Sequence, residues 1–288
     1  MYKLMDIILQ AEKNKTAIGH FNISELAALK AITLTAKELN LPVMIGVSEG
    51  ERDFVGVRQA TALIKSIREE TGLPIFLNAD HTHSVERIEE AVRVGFDEVL
   101  FDGSKLSFEE NIKQTKKAVE AAKSINPDIL VEGEIGYIGS SSQILKELPE
   151  GAAIKEEDLT KPEDAERFVK ETGVDLLAPA VGNIHGMFAA AKNPRLNIER
   201  IAAIRKSAGV PLVLHGGSGI VDEDFKFAIK AGIAIIHINT EIRLAWRRGL
   251  DKALKENSDE VTPYKILPDA VNMISEVVKN RLKLFNEK

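Results

Sequence analysis

Cysteine is absent from the 288 residues. Without it there is no disulfide and no thiolate metal site, so any bound metal must take imidazole and carboxylate ligands. Positive charge is also short. Lys and Arg number 38 against 44 Asp and Glu, a formal charge of -6, and no basic block stands out. That argues against nucleic acid and anionic membranes as partners, because both need a cationic face. No apolar run approaches the length needed to cross a bilayer, and the segment 1–10 is too polar for a signal peptide, so a cytoplasmic protein is expected.

What is present is an ordinary globular composition, 44% hydrophobic and 28% charged, long enough to bury one large α/β barrel or two small domains. Apolar, strand-like runs occur at 17–21, 42–47, 74–77, 98–101, 129–131, 175–179, 211–214 and 233–238. Amphipathic segments at 25–39, 58–71, 85–94, 108–124 and 164–172 lie between them, with apolar residues at helical spacing. Strand and helix therefore alternate, and the pattern predicts a single-domain α/β fold, a (β/α)8 TIM barrel, with a doubly wound open sheet as its competitor. Two segments break the rhythm. The stretch 137–161 is rich in Gly and Ser and then charged, and reads as an active-site loop; 256–288 reads as added C-terminal helices.

The seventh run ends in His215-Gly216-Gly217-Ser218-Gly219, a strand running into a turn that can approach an anion closely. All six histidines fall at or just after the ends of runs: His20, His81, His83, His185, His215 and His237. In barrels the chemistry sits at the C-terminal ends of the strands. Any one of these histidines reads as a satisfied polar residue in a barrel mouth; together they point to a site. Carboxylates follow the same geography, with Asp80 before His81, Asp102 after the fourth run, and Glu132 and Glu134 at the fifth. Imidazoles with carboxylates and no thiols suit Zn2+ or a similar divalent ion. Gly216, Gly217 and Ser218, with Asn239 and Thr240 opening the helix after the eighth run, match the usual barrel phosphate site. A phosphorylated substrate is expected.

These residues resemble the class II, metal-dependent fructose-bisphosphate aldolases and their tagatose-bisphosphate relatives. The likeness runs from His20-Phe21-Asn22 through Val47-Ser48-Glu49-Gly50, Asp80-His81, Phe101-Asp102-Gly103-Ser104, Val131-Glu132-Gly133-Glu134-Ile135-Gly136, Gly182-Asn183-Ile184-His185-Gly186 and Leu214 to Gly219, to Asn239-Thr240-Glu241. The resemblance implies His81, His185 and His215 as zinc ligands, Glu134 and Asp102 as carboxylates of alternative or second cation positions, divalent or monovalent, and Asp80 as the acid/base. It implies Gly186, Gly216 to Ser218, Asn239 and Thr240 around a dihydroxyacetone phosphate half, and Asn22 and Ser48 facing the rest of the sugar; His237, beside Asn239, is a further substrate-binding candidate. Arg281 is a candidate phosphate-binding arginine lent to a partner subunit, and a homodimer or homotetramer is implied. Zinc would act as a Lewis acid on the ketone of a ketose 1,6-bisphosphate, with no Schiff-base lysine. Fructose 1,6-bisphosphate is the first substrate expectation; tagatose bisphosphate or another ketose phosphate, a metal-dependent barrel hydrolase, and a noncatalytic family member are the alternatives.

The chain departs from the family pattern in three places. Ile138-Gly139-Ser140-Ser141-Ser142-Gln143 stands where a Gly-Gly-Glu-Glu-Asp type sequence usually supplies a loop carboxylate; Glu147 and Glu150 lie further along the same loop but read as solvated charges. Ile235-Ile236-His237 stands for Lys-x-Asn, and His20 for a small residue. Side chains two apart on a strand face the same way, and the first and last strands of a closed barrel are neighbours. If Asn22 and Asn239 point inward, His20 and His237 do too, one layer lower and close enough to touch. Two separately satisfied core histidines are the competing expectation.

Overall fold

The apolar runs become eight parallel strands of a closed barrel in a computed structural model describing residues 2–139, 142–188 and 192–287. In chain order the elements are α1 (Leu4–Asn14), β1 (Ile18–Asn22), α2 (Leu26–Leu39), β2 (Val43–Val47), α3 (Glu49–Val55), α4 (Val57–Thr71), β3 (Ile75–Thr82), α5 (Val85–Val94), β4 (Glu98–Phe101), α6 (Phe108–Ile125) and β5 (Leu130–Ile135). There follow β6 (Ile144–Leu145), α7 (Pro162–Thr172), β7 (Leu176–Pro179), β8 (Met187–Phe188), α8 (Ile198–Ala208), β9 (Leu212–Leu214), α9 (Asp222–Ala231), β10 (Ile233–Ile238), α10 (Thr240–Glu256), α11 (Pro263–Ile266) and α12 (Pro268–Phe285). The barrel closes in the order β1-β10-β9-β7-β5-β4-β3-β2, every pair parallel, while β6 and β8 form a separate two-stranded sheet. This is the expected (β/α)8 barrel, and among the described residues no helix is long and apolar enough to cross a membrane.

Two apolar layers hold it. The larger core lies between strands and helices, where outward strand residues such as Ile45, Leu77 and Val131 meet Ile32, Ile64 and Phe168. The second fills the bottom of the barrel with Ile18, Met44, Phe76, Leu130, Leu176, Val213 and Ile235, and is closed by Leu4, Ile8 and Ala11 of α1. The amphipathic α1 was not expected from the hydrophobic runs, yet it makes the barrel a dead-end tube, open only at the C-terminal ends of the strands.

The strands depart from expectation at their polar ends. β3 runs on through Asn78, Asp80 and His81 to Thr82, and β5 through Glu132 and Glu134 to Ile135. Hydrophobicity cannot mark such residues as strand, since their side chains serve the barrel interior. Within 137–161, Ile138 and Ala153 pack on Ala180, and β6 pairs with β8, so this stretch is partly structured. Ser140 and Ser141 of the motif there lie outside the described residues.

The C-terminal extension does form helices, and α12 lies along α10 and α2. Close approach depends on Gly249, where an added Cβ would strike the backbone of Ala270. Gly249→Ala should therefore lower the thermal midpoint of circular-dichroism unfolding. Helix propensity alone would stabilise by about 1 kcal/mol, but forcing the two backbones apart costs about 1–3 kcal/mol. A raised midpoint would show that α12 does not rest on this position.

Candidate active site

Alternation along each strand sends every second side chain inward. On β1 these are His20 and Asn22, on β3 Asn78 and Asp80, on β5 Glu132 and Glu134, and His237 takes the last inward place of β10 before Asn239. All of these except Asn239 are at most 5% exposed. They sit above the apolar plug and below the open rim. The cleft above them is lined by Asn22, Asp80, His81, His185, His215 and His237 on one side and by Gly186, Gly216, Ser218, Asn239 and Thr240 on the other.

Three imidazoles converge there. Donor atoms of His81, His185 and His215 lie within 4.8 Å of one another, and each ring has one nitrogen engaged elsewhere. His81 Nδ1 donates to Asp102 Oδ2 at 2.9 Å, His185 Nδ1 donates to the Gly139 carbonyl at 2.7 Å, and His215 Nε2 meets Glu132 Oε1 at 2.8 Å. Such outer partners fix which nitrogen faces a metal. His215 Nδ1 is buried and unpartnered. Burial, and then the neighbouring His81, push His185 down to about 3, and the same pair of causes pushes His215 down to about 3. Both are neutral near pH 7, the form that ligates a metal. The donor set therefore fits a divalent cation of the zinc type. Glu134 extends it, grouped with His81 and Asp102 and carrying an unpartnered Oε2. Burial and the adjacent Asp102 push the Glu134 carboxyl well above the usual range.

Asp80 sits between this cluster and the phosphate-type turn. Its Oδ2 accepts from Asn22 Nδ2 at 2.8 Å, while Oδ1 is buried without a partner. Burial alone would raise its pKa, but the imidazoles of His81, His20 and His215 and the Asn22 hydrogen bond outweigh it, so the carboxyl lies below the usual range. An ionised carboxylate with a free oxygen facing a cleft is a ready proton acceptor.

The turn after β9 is built for close approach. Gly216 has φ 62, and a Cβ there would strike the Ile184 carbonyl. Asn193 Nδ2 donates to Gly186 O and Ser218 O at 3.0 and 2.9 Å, tying two loops together. Asn239 and Thr240 at the start of α10 line the same wall, where the positive end of the helix suits an anion, and the Glu241 amide donates to Ser218 Oγ at 3.2 Å. The Gly217 amide is engaged within the barrel, donating to His237 O at 3.0 Å. Ser48 caps α3 and lines an outer extension of the cleft with Glu49, Gly50, His83, Asp102, Ser142 and Arg243. Arg281 is engaged within its own chain, with Nε donating to Glu241 at 2.9 Å and Nη1 to Asp222 at 2.9 Å. Glu147 and Glu150 are exposed.

His20 and His237 meet as the strand register requires. They are register partners on β1 and β10, and their rings stack at 3.4 Å between centroids with a 3° interplanar angle. His20 Nε2 donates to Asn78 Oδ1 at 3.1 Å, and Gly46 leaves the room, since a Cβ there would enter the His20 ring. His237 Nδ1 lies 3.6 Å from Asp80 Oδ1. Burial pushes His20 down to about 4. Burial and the adjacent His20 push His237 well below the usual range.

Several supporting residues were not singled out from the sequence, although Ser48-x-x-Glu51 has the spacing of a capping box. Glu51 accepts from Asn22 Nδ2 at 2.9 Å, from the Ser48 amide at 2.8 Å and from Arg243 at 2.7 Å. Glu98 is buried beneath Glu132; burial, and then Glu132 itself, push its carboxyl well above the usual range. The period-two spacing of Asn78 with Asp80 was a usable signal for one more.

Residues 2–288 match the family model described as fructose-bisphosphate aldolase class-II. A 6-phospho-5-dehydro-2-deoxy-D-gluconate aldolase of Shouchella clausii is 38% identical over 97% of this chain and 92% of its own. A fructose-bisphosphate aldolase of Thermus caldophilus is 34% identical over 98% of this chain and 96% of its own. Among solved structures, the YdjI aldolase of Escherichia coli K12 superposes with a TM-score of 0.81 at 32% identity, covering 97% of this chain and 95% of that one. With the barrel, the imidazole cluster and these matches together, the chain belongs to the class II fructose-bisphosphate aldolase family.

Proposed function

We propose that this lyase reversibly cleaves fructose 1,6-bisphosphate to dihydroxyacetone phosphate and glyceraldehyde 3-phosphate. The observation that carries the reading is the convergence of three imidazoles, each with one nitrogen left free, beside an ionised Asp80 whose second oxygen faces the cleft. His81, His185 and His215 would hold a zinc ion, which would supply a Lewis acid for the ketone oxygen. Asp80 accepts the C4 hydroxyl proton as the C3–C4 bond breaks and returns it in condensation. Asn22 orients Asp80 and faces the sugar; the turn at Gly186, Gly216 and Ser218 with the start of α10 holds the C1 phosphate; Ser48 borders the aldehyde half. No lysine lines the cleft or its extension among the described residues, which favours a metal electrophile over an imine.

A second substrate is favoured by the higher identity to the Shouchella enzyme. Cleavage beside the 5-ketone of 6-phospho-5-dehydro-2-deoxy-D-gluconate also yields dihydroxyacetone phosphate, leaving a three-carbon aldehyde acid. A coupled triose-phosphate assay with both substrates separates the two readings, since turnover of only the sugar acid would sink the first.

Chelation should abolish activity, with recovery on adding zinc, while borohydride with substrate should leave the protein unlabelled. Mass-spectrometric detection of a reduced lysine adduct would contradict the metal route. Asp80→Ala should lower kcat by roughly 10²-fold or more with zinc content near the parent level, since general acid/base groups contribute about 10²–10⁴. Zinc loss in parallel with activity would instead make Asp80 a support for His81. For the stacked histidines, a double-mutant cycle of His20→Ala and His237→Asn read in kcat/KM should show coupling above roughly 0.5 kcal/mol; simple additivity would mean the two rings act separately.

A further inference from the structure

Asp80 and His81 are consecutive on β3, yet both point into the cleft. A regular strand forbids this, because neighbouring side chains face opposite ways. The strand solves it with one extra residue. Between Asn78 and Thr82 the pairing with β4 slips, Ala79 opposing Val99 and Thr82 opposing Phe101, so β3 takes three steps where β4 takes two. At the slip His81 has φ 40, and it is the one strand residue other than glycine with positive φ among the described residues. Such a conformation is strained for any residue with a Cβ and persists only where the surroundings impose it.

What imposes it lies behind the strand. Arg52 of α3 is fully buried at 0% exposure. Its Nη1 donates to Val47 O at the end of β2 at 2.9 Å and to Asp80 O at 3.3 Å, and its Nη2 donates to Thr82 Oγ1 at 3.0 Å. Thr82 would face inward in an unbroken alternation; here it is turned outward onto the guanidinium and buried. Among the described residues no carboxylate pairs with Arg52, and its Nε is unpartnered. A buried cation outside any ion pair is costly, and this one spends one donor contact on the end of β2 and two on the residues that flank His81.

We propose that Arg52 is a positioning residue which, from outside the barrel, clamps the bulge that turns Asp80 and His81 into the cleft together. The proposal rests on the reading of His81 as a metal ligand. Without the clamp, β3 relaxes toward regular pairing and His81 leaves the cluster.

The test is zinc affinity of the purified full-length enzyme, measured by competition with a chromogenic chelator, for Arg52→Met, Arg52→Lys and Thr82→Val beside a His81→Ala control. Outer partners of metal ligands are typically worth 10–100-fold in affinity. Arg52→Met should lose about tenfold or more, Thr82→Val should lose less in the same direction, and Arg52→Lys should fall between Arg52→Met and the parent. Each loss should come with a fall in kcat larger than any change in KM. Parent-like zinc affinity in Arg52→Met, with only a lower thermal midpoint, would overturn the clamp. If Arg52→Met does not fold, parent-like affinity in both Arg52→Lys and Thr82→Val overturns it equally. A His81→Ala variant that keeps parent affinity would instead remove the ligand assignment on which the proposal stands.

Discussion

The strict alternation of side chains along a parallel strand is the constraint on which this site depends. Each barrel strand offers the interior one residue in two, and α1 seals the lower end with Ile8 and its neighbours. Polar groups placed inward above that plug cannot reach water from below. They must satisfy one another or face a ligand. The pairs His20 with Asn22, Asn78 with Asp80, and Glu132 with Glu134 follow from this spacing. His81 is the exception, reached by a bulge.

The resulting interior is unlike a core. A buried polar atom left without a partner costs about 1–3 kcal/mol, yet His215 Nδ1, His237 Nε2, Asp80 Oδ1, Glu134 Oε2 and Asn239 Oδ1 are all left so around one cleft. In a structural layer such atoms would have been paired or replaced by apolar groups. Their convergence, with His185 and His215 kept neutral by burial and Asp80 kept ionised chiefly by His81, is the electrostatic form of a cation and substrate site. Outer contacts then select the working atom: Asp102 and the Gly139 carbonyl each engage the Nδ1 of a ring, whereas Glu132 engages Nε2 and leaves Nδ1 of His215 free.

Much of the fold was legible because apolar runs and amphipathic segments obey different periods. The strand 98–101 and the helix 85–94 fall where the pattern put them. Illegible parts had local reasons. The ends of β3 and β5 are polar since they face the cleft, α1 acts only as a plug for a barrel that the rest of the chain builds, and α3 is a single short turn-bearing helix after Ser48. The site was legible as a set, since histidines and carboxylates cluster after strand runs, but Glu98, Asn193 and Arg52 show nothing locally, and the capping-box spacing of Ser48 and Glu51 says nothing of Asn22. Each acts on a residue distant in sequence, as Glu51 does on Asn22.

By itself the sequence determined the barrel, the exclusion of thiolate ligands, the inward placement of every second strand-end residue, and even the meeting of His20 with His237, because all of these follow from composition, period and the adjacency of first and last strands. Tertiary structure alone decided which nitrogen of each imidazole is free, that Gly217 spends its amide on His237 while Gly216 lines the cleft, that Arg281 is occupied by Glu241 and Asp222, and that Asp80 and His81 share a face. Those outcomes depend on distances between strands and loops far apart in the chain, and no local period carries that information.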